Sequence, residues 1–318
     1  MKFSIYQESR TGKRANNEDR LAYCYSREAL LMVVADGMGG HYYGEVAAQI
    51  AVQTLTEAFP REFKPRMRDP FMFLQKGMLN AHRAILDYAD RHRLVDSPRT
   101  TCVACIVQNN IAYWVHSGDS RLYLLRNGKV LAQTRDHSRV RQLYDQGVIS
   151  EAQMNGHPDR HKIYGCLGGQ QKPEIEYSRK ATLEAGDVLA LCTDGVWSVL
   201  PAGTLALSLK TADPALAVPL LLGDAEARGG SHADNLSMIA VRWGDSYSDQ
   251  SSGGSGAASG AASGGTSSLV STRSMPKDSV TRMMDEFGRP SRGKTDLSEE
   301  EIELAIEEIR STIQKYTK

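Results

Sequence analysis

Val33-Val34-Ala35-Asp36-Gly37-Met38-Gly39-Gly40 and, far downstream, Leu189-Ala190-Leu191-Cys192-Thr193-Asp194-Gly195 share one pattern, and the fold turns on how it is read. In each, a short apolar run reads as a buried strand, and a carboxylate stands where the strand stops. Glycine follows at once, which lets the backbone turn sharply or come close to a ligand because no Cβ is in the way. Strand-end carboxylates beside exposed backbone form an oxygen cage for hard cations such as Mg²⁺ or Mn²⁺. Taken singly, either Asp-Gly is better read as an ordinary turn pair.

The other acidic positions reverse that preference. Asn16-Asn17-Glu18-Asp19-Arg20 lies upstream, with Arg14 four residues before Glu18. Gly118-Asp119-Ser120-Arg121 follows the strand-like Ile111-Ala112-Tyr113-Trp114-Val115, and Asp234-Asn235-Leu236-Ser237 precedes Met238-Ile239-Ala240-Val241. Acidic clusters at the edges of several apolar segments imply carboxylates gathered from distant parts of the chain. Unpaired buried carboxylates are very costly, so such a gathering needs cations.

In this order the motifs resemble those of the PPM, or PP2C-type, metal-dependent serine/threonine protein phosphatases, their bacterial branch above all. The matching residues are Arg14, Glu18-Asp19, Asp36-Gly37-Met38-Gly39-Gly40, Gly118-Asp119-Ser120-Arg121, Thr193-Asp194-Gly195 and Asp234-Asn235. Asp136-His137-Ser138, His157-Pro158 and Leu167-Gly168-Gly169 extend the likeness, which runs from about residue 3 to about residue 243. It implies an α+β fold, an αββα sandwich of two antiparallel sheets flanked by helices with metals at one edge. Asp36 is then the carboxylate that bridges two ions, with the Gly37 carbonyl beside it. Asp194 and Asp234 ligate one ion, Glu18 and Asp19 hold the other partly through waters, and Asp119 with Asp194 takes a third. Arg14 grips the substrate phosphate. Residues 136–169 correspond to a mobile flap, where His137, His157 and Arg160 are candidate substrate contacts; His161 belongs with them in this reading, and surface exposure is the plain alternative for each. Some members carry a histidine where this chain has Met38, so the general acid is left unassigned.

The implied chemistry is coherent by itself. Two divalent ions lower the pKa of a shared water towards neutrality, and the bridging hydroxide attacks the phosphoserine or phosphothreonine phosphorus. Arginine suits the phosphate because its planar fork donates two hydrogen bonds and keeps its charge. The expected enzyme is a cytoplasmic Mn²⁺- or Mg²⁺-dependent protein phosphatase acting on phosphorylated proteins and opposing a Ser/Thr kinase. Its rivals are a weakly active binding module that works through its tail, and a phosphomonoesterase for small molecules.

Composition is consistent with this expectation. The 318 residues hold 38 Lys plus Arg against 38 Asp plus Glu, so no bulk attraction to nucleic acid or anionic membrane is expected. Apolar runs such as Ala29 to Ala35 are too short to span a bilayer, and the first residues lack the apolar core of a secretion signal. Cys102 and Cys105 form a C-x-x-C within an apparent strand, where residues three apart face opposite sides. Packing is the preferred reading, since no second pair completes a zinc site. None of the five cysteines opens the C-x-x-x-x-x-R loop of cysteine-based phosphatases.

Periodicity predicts helices over about 44–58, stopped by Pro60, and about 71–91. Strands are expected from Thr101 to Val130, with Asn127-Gly128 as a hairpin turn. The catalytic domain is expected over residues 1–245. A Gly/Ser/Ala-rich flexible linker over 246–268 follows, its poorest stretch spanning about 25 Å. A helical tail over 269–318 is expected to dock on the domain or bind a partner. Within it, Asp278 caps a short helix ending at Gly288, and Ser298-Glu299-Glu300-Glu301 opens a second. The second carries an isoleucine stripe, Ile302, Ile306, Ile309 and Ile313.

Overall fold

Neighbouring residues of the first strands enter different cores, and that alternation builds the layers. A computed structural model describes residues 1–38, 43–62, 66–154, 156–160 and 162–244, and the backbone of 266–271 and 281–284. Strands β1 (Phe3–Arg10), β2 (Arg20–Tyr25) and β3 (Ala29–Ala35) are followed by helices α1 (Gly44–Glu62) and α2 (Pro70–Arg91). A meander follows: β4 (Cys102–Gln108), β5 (Ile111–Ser117), β6 (Arg121–Arg126) and β7 (Lys129–Gln133). Short helices α3 (Arg139–Asp145) and α4 (Glu151–Met154) lead to β8 (Glu176–Tyr177), β9 (Ala181–Thr182) and β10 (Val188–Cys192). Then come α5 (Asp194–Trp197), α6 (Ala202–Thr211), α7 (Pro214–Gly229), β11 (Leu236–Trp243), β12 (Thr266–Ser271) and β13 (Thr281–Met284).

One sheet runs β12-β1-β11-β10-β6-β7, the other β13-β2-β3-β4-β5-β8 with β9 also on β5, and every pairing is antiparallel. Leu21, Tyr23, Leu30, Met32 and Val34 point between the sheets. Their neighbours Ala22, Cys24, Leu31 and Val33 point outward, under Leu55 and Phe59 of α1 and Leu74 and Met78 of α2. On the other side Tyr123, Ala190 and Ala240 meet Leu205 and Leu209 of α6 and Val218 and Leu222 of α7. Three apolar interfaces thus hold four layers, the αββα sandwich expected. Both faces of the inner strands are covered, which explains their unbroken apolar runs.

Cys102 packs under the helices and Cys105 between the sheets, opposite faces as the strand period requires. Asn127 and Gly128 form the β6–β7 hairpin with φ of 54° and 76°. Three expectations need correction. Pro60 does not stop α1, which continues to Glu62. The carbonyl left without a helix donor because Pro60 has no N–H, Thr56 O, takes a long contact of 3.9 Å from the Cys24 thiol, and the buried Phe59 anchors this last turn. The coil expected through Ser268 gives way at Thr266 to β12, which pairs with β1. The helix expected after Asp278 is replaced at Thr281–Met284 by β13, which pairs with β2. Open edges of both sheets offer unpaired N–H and C=O groups, and that outweighs a weak four-residue period. The capping-box helix from Ser298 and linker residues 246–265 lie outside the described residues.

Candidate metal centre

Each acidic residue singled out in the sequence sits where a strand of the sandwich ends. Asp36 follows β3, and its backbone is pinned from both sides. Thr101 N–H and Thr100 Oγ1 donate to Asp36 O at 2.9 and 2.8 Å, while Asp36 N–H donates to Thr101 Oγ1 at 3.1 Å. Thr101 Oγ1 also meets Ser120 Oγ at 2.7 Å, which ties the turn bearing Asp119 to the same point. A Cβ on Gly118 (φ 109°) would lie 2.6 Å from the Thr101 side chain, so only glycine lets this turn close.

Glu18 and Asp19 precede β2. Asp19 is buried, and one oxygen accepts a 2.8 Å bond from Thr193 Oγ1, which also receives Ser237 N–H at 3.1 Å. Asp194, one residue on, opens α5. Asn235 is the hub of the N-terminal loop. Its amide donates to Thr11 O and Asn16 O at 2.8 and 2.9 Å, and its Oδ1 accepts Glu18 N–H at 2.9 Å. Arg14 reaches across from that loop, and its Nη2 meets Asp234 Oδ2 at 2.7 Å. Its side chain is 59 % exposed, so the guanidinium stands at the rim.

The carboxylates feel one another. Burial raises Asp36 well above the usual carboxylate range, and the charges of Asp19, Asp194, Asp119 and Asp234 push it further. Burial, then Asp194 and Asp136, raise Asp119 in the same way. Glu18 is pushed up to about 7 by burial and by Glu45, and Asp19 to about 7 by burial against the hydroxyls that hydrogen-bond it. Glu18 Oε2, Asp19 Oδ1 and Asp119 Oδ1 are buried without a hydrogen-bond partner. A Cβ on Gly44 would sit 2.3 Å from Glu18 Oε2, so the start of α1 leaves room for that carboxylate. Oxygen donors that are desolvated, mutually repelling and short of hydrogen-bond donors fit hard divalent cations.

The structure thus brings Glu18, Asp19, Asp36, Asp119, Asp194 and Asp234 together, with Gly37 between the Glu18 backbone and Gly44. Thr100, Thr101, Thr193, Gly44 and Asn235 support them, and sequence reasoning gave these no role. A hydroxyl or amide next to Asp194 and Asp234, at Thr193 and Asn235, was the available signal for those two; Asp36, between Ala35 and Gly37, offered none. Gly39 and Gly40 lie outside the described residues.

The expected flap is anchored beside the cluster at both ends. His137 N–H donates to Gly118 O at 3.0 Å, and Leu167 exchanges backbone bonds with Thr100. The flap contacts divide. His137 is buried, its ring against His116 and Tyr164, so it is not a surface contact for a peptide. Arg160 is exposed, while His157 Nδ1 accepts Asp159 N–H at 3.0 Å. His161 lies outside the described residues. Asp136, from the same motif, takes a bidentate grip from Arg121 at 2.8 and 2.7 Å and serves structure.

Comparison with known proteins finds relatives of the whole sandwich. The protein phosphatase 2C family model matches residues 7–217. A serine/threonine phosphatase stp of Listeria innocua is 29% identical over 243 residues, 74% of this chain and 95% of that protein. The crystal structure of the Mycobacterium tuberculosis serine/threonine phosphatase PstP/Ppp superposes with a TM-score of 0.66 at 31% identity, covering 76% of this chain and 99% of that one. The catalytic domain of PstP in complex with two manganese ions gives a TM-score of 0.63 at 30% identity, covering 76% and 98%.

Proposed function

The chain belongs to the protein phosphatase 2C family, and we propose that it is a metal-dependent phosphatase that removes phosphate from serine and threonine of phosphorylated proteins. The observation that carries this reading is the convergence of Glu18, Asp19, Asp36, Asp119, Asp194 and Asp234 from separate segments, with three buried oxygens left without partners.

Asp36, Asp194 and Asp234, with the Gly37 carbonyl, would hold Mn²⁺ or Mg²⁺ with Glu18 and Asp19, and Asp119 would add a third position. When bound, two such ions supply an acidified water and neutralise charge on the transferring phosphoryl group. Arg14 presents its exposed guanidinium to the incoming phosphate, with Asp234 fixing one end of the fork. The threonine pair at 100 and 101 holds Asp36 in place, so the oxygens are positioned before substrate arrives. The flap, rooted at Gly118 and Thr100, lies where it selects the polypeptide around the phosphoresidue.

We place the catalytic unit within residues 1–245, with the linker and tail outside the chemistry, and take a Ser/Thr kinase as the natural opponent. Among the described residues no helix is long and apolar enough to cross a membrane. Purified protein on a phosphothreonine peptide, with EDTA or Mn²⁺, tests the proposal. Phosphate release that requires Mn²⁺ and disappears in Asp36→Asn is expected; folded, metal-loaded protein that releases none would overturn it.

A further inference from the structure

We infer that His116, His137 and Glu176 form a second metal site, a two-imidazole, one-carboxylate set for Zn²⁺ at the root of the flap. One ligand atom from each lies within 4.8 Å of the others. His137 Nε2 and Glu176 Oε2 are 3.5 Å apart. Two ligands held 2.0–2.1 Å from a tetrahedral zinc lie about 3.3 Å from each other, so this pair is already close to spacing. The plain alternative is an ion pair between a protonated His137 and Glu176.

Three observations favour an ion over that pair. The His137 side chain is 2% exposed, yet its Nε2, facing Glu176, has no hydrogen-bond partner. His116 Nε2 stands 2.7 Å from Arg135 O, so that nitrogen carries the proton and Nδ1 keeps its lone pair. A backbone carbonyl on the far ring nitrogen is the usual support of a zinc-binding histidine. Finally, Glu176 lines two clefts of about 240 and 300 Å³, one bounded by Trp114, His116 and Thr134, the other by Arg135, Asp136 and Tyr164. They open a path from solvent to Glu176, and the first also reaches His116.

Ligation has one local consequence. Gly118 N–H faces His137 Nδ1 at 3.3 Å, so binding through Nε2 moves the ring proton to Nδ1 and gives up this long contact. The bond from His137 N–H to Gly118 O at 3.0 Å does not involve the ring and stays. His137 precedes α3, Glu176 begins β8 beyond the flap, and His116 lies on β5. Zn²⁺ would therefore clip both ends of the flap segment to the sheet. Imidazole donors select Zn²⁺, while the all-oxygen cluster prefers hard ions, so the two sites sort metals by chemistry.

The test uses the full chain in excess Mg²⁺, titrated with Co²⁺ as a spectroscopic probe and then with Zn²⁺. One Co²⁺ per chain with strong visible absorption, displaced by Zn²⁺, is expected. Co²⁺ that merely replaces Mg²⁺ among carboxylates stays six-coordinate and nearly colourless, and that result overturns the site. Glu176→Gln, a change at a side chain 46% exposed, should weaken Co²⁺ binding at least tenfold. Zn²⁺ should also slow tryptic cleavage within residues 139–162 of the wild type but not of this variant. Equal binding by wild type and Glu176→Gln, or no effect on cleavage, rejects the inference. If His116→Gln fails to fold, Glu176→Gln still decides. The readouts are absorption and proteolysis, so failure here leaves the phosphatase reading untouched.

Discussion

Two sets of buried carboxylates share this sandwich, and they are balanced in opposite ways. Asp136 and Asp187 are each gripped by a guanidinium. Arg121 meets Asp136 at 2.8 and 2.7 Å and lies 3.5 Å over the Trp197 ring; Arg126 meets Asp187 at 2.8 and 2.7 Å. Among the described residues no arginine forms an ion pair with the carboxylate of Asp19, Asp36 or Asp119; Arg20 reaches only the Asp19 backbone carbonyl, and Arg14 pairs with the rim residue Asp234. A chain able to place guanidinium on buried carboxylates has left one set without it. Removing a partner from a buried pair is strongly destabilising, so an acid set that persists bare is kept for a cation from solution.

Substitution should separate the sets. Asp36→Asn or Asp194→Asn is expected to lower turnover on the order of a thousandfold or more, since each removes charge from the reacting centre. Metal-free melting should be unchanged or raised, because a repulsive charge is gone. Asp136→Asn should do the reverse. It leaves the largely buried Arg121 charge without its counterion, a loss of about 3 kcal/mol, with a lowered Tm and activity that falls only as folded protein is lost. Calorimetry beside a phosphate-release assay reads both, and a Tm collapse in Asp36→Asn would erase the distinction.

Protons test the same contrast. Glu18 and Asp19, at about 7 in the folded protein, have ordinary values of 4.5 and 3.8. Between those limits the folded chain binds more protons than the unfolded one. Stability from these groups is therefore full below about pH 4 and is lost as pH rises through 7. Metal-free protein should lose on the order of 1–4 kcal/mol between pH 5 and 8. Mn²⁺ should restore it at pH 8 and add little at pH 5, where protons compete for the same oxygens. Melting in EDTA or Mn²⁺ across this range measures both, and a pH-independent Mn²⁺ gain would count against carboxylate ligation.

The bare set was legible in the sequence because its members stand at strand ends, Asp36 and Asp119 beside glycine, and apolar strands are read from local pattern. The balancing set was not, because a partner sixty residues away leaves no local mark: Asp187 finds Arg126 only once the sheet has formed. For the same reason Asn235 reads as a motif letter until Thr11, Asn16 and Glu18 gather around it. His137 looked like a polar flap residue, yet the return of Tyr164 and Glu176 buries it. Pro60 was misjudged because its missing bond falls in the last turn, where the Cys24 thiol contacts the released carbonyl. Edge strands β12 and β13 depend on sheet edges that a linear reading does not display.

Arg14 lies between the two sets, paired yet exposed. Arg14→Ala should raise KM for a phosphothreonine peptide about tenfold, the loss of one charge-assisted contact to phosphate. Stability should change by less than about 1 kcal/mol, since its link to Asp234 is open to solvent. An unchanged KM would return the residue to a plain surface ion pair.

The smallest effect is expected from the end of the chain. Deleting residues 251–318 removes β12 and β13 but touches neither carboxylate set, so turnover of p-nitrophenyl phosphate should stay within about twofold. β1 keeps its pairing with β11, and β2 keeps β3, so each sheet loses only an added edge strand. The exposed edges would then offer free N–H and C=O groups, and self-association should rise with protein concentration. Light scattering beside the assay separates the outcomes. Full activity with concentration-dependent growth in size makes the tail an edge cover, whereas a dead monomer places it within the catalytic unit.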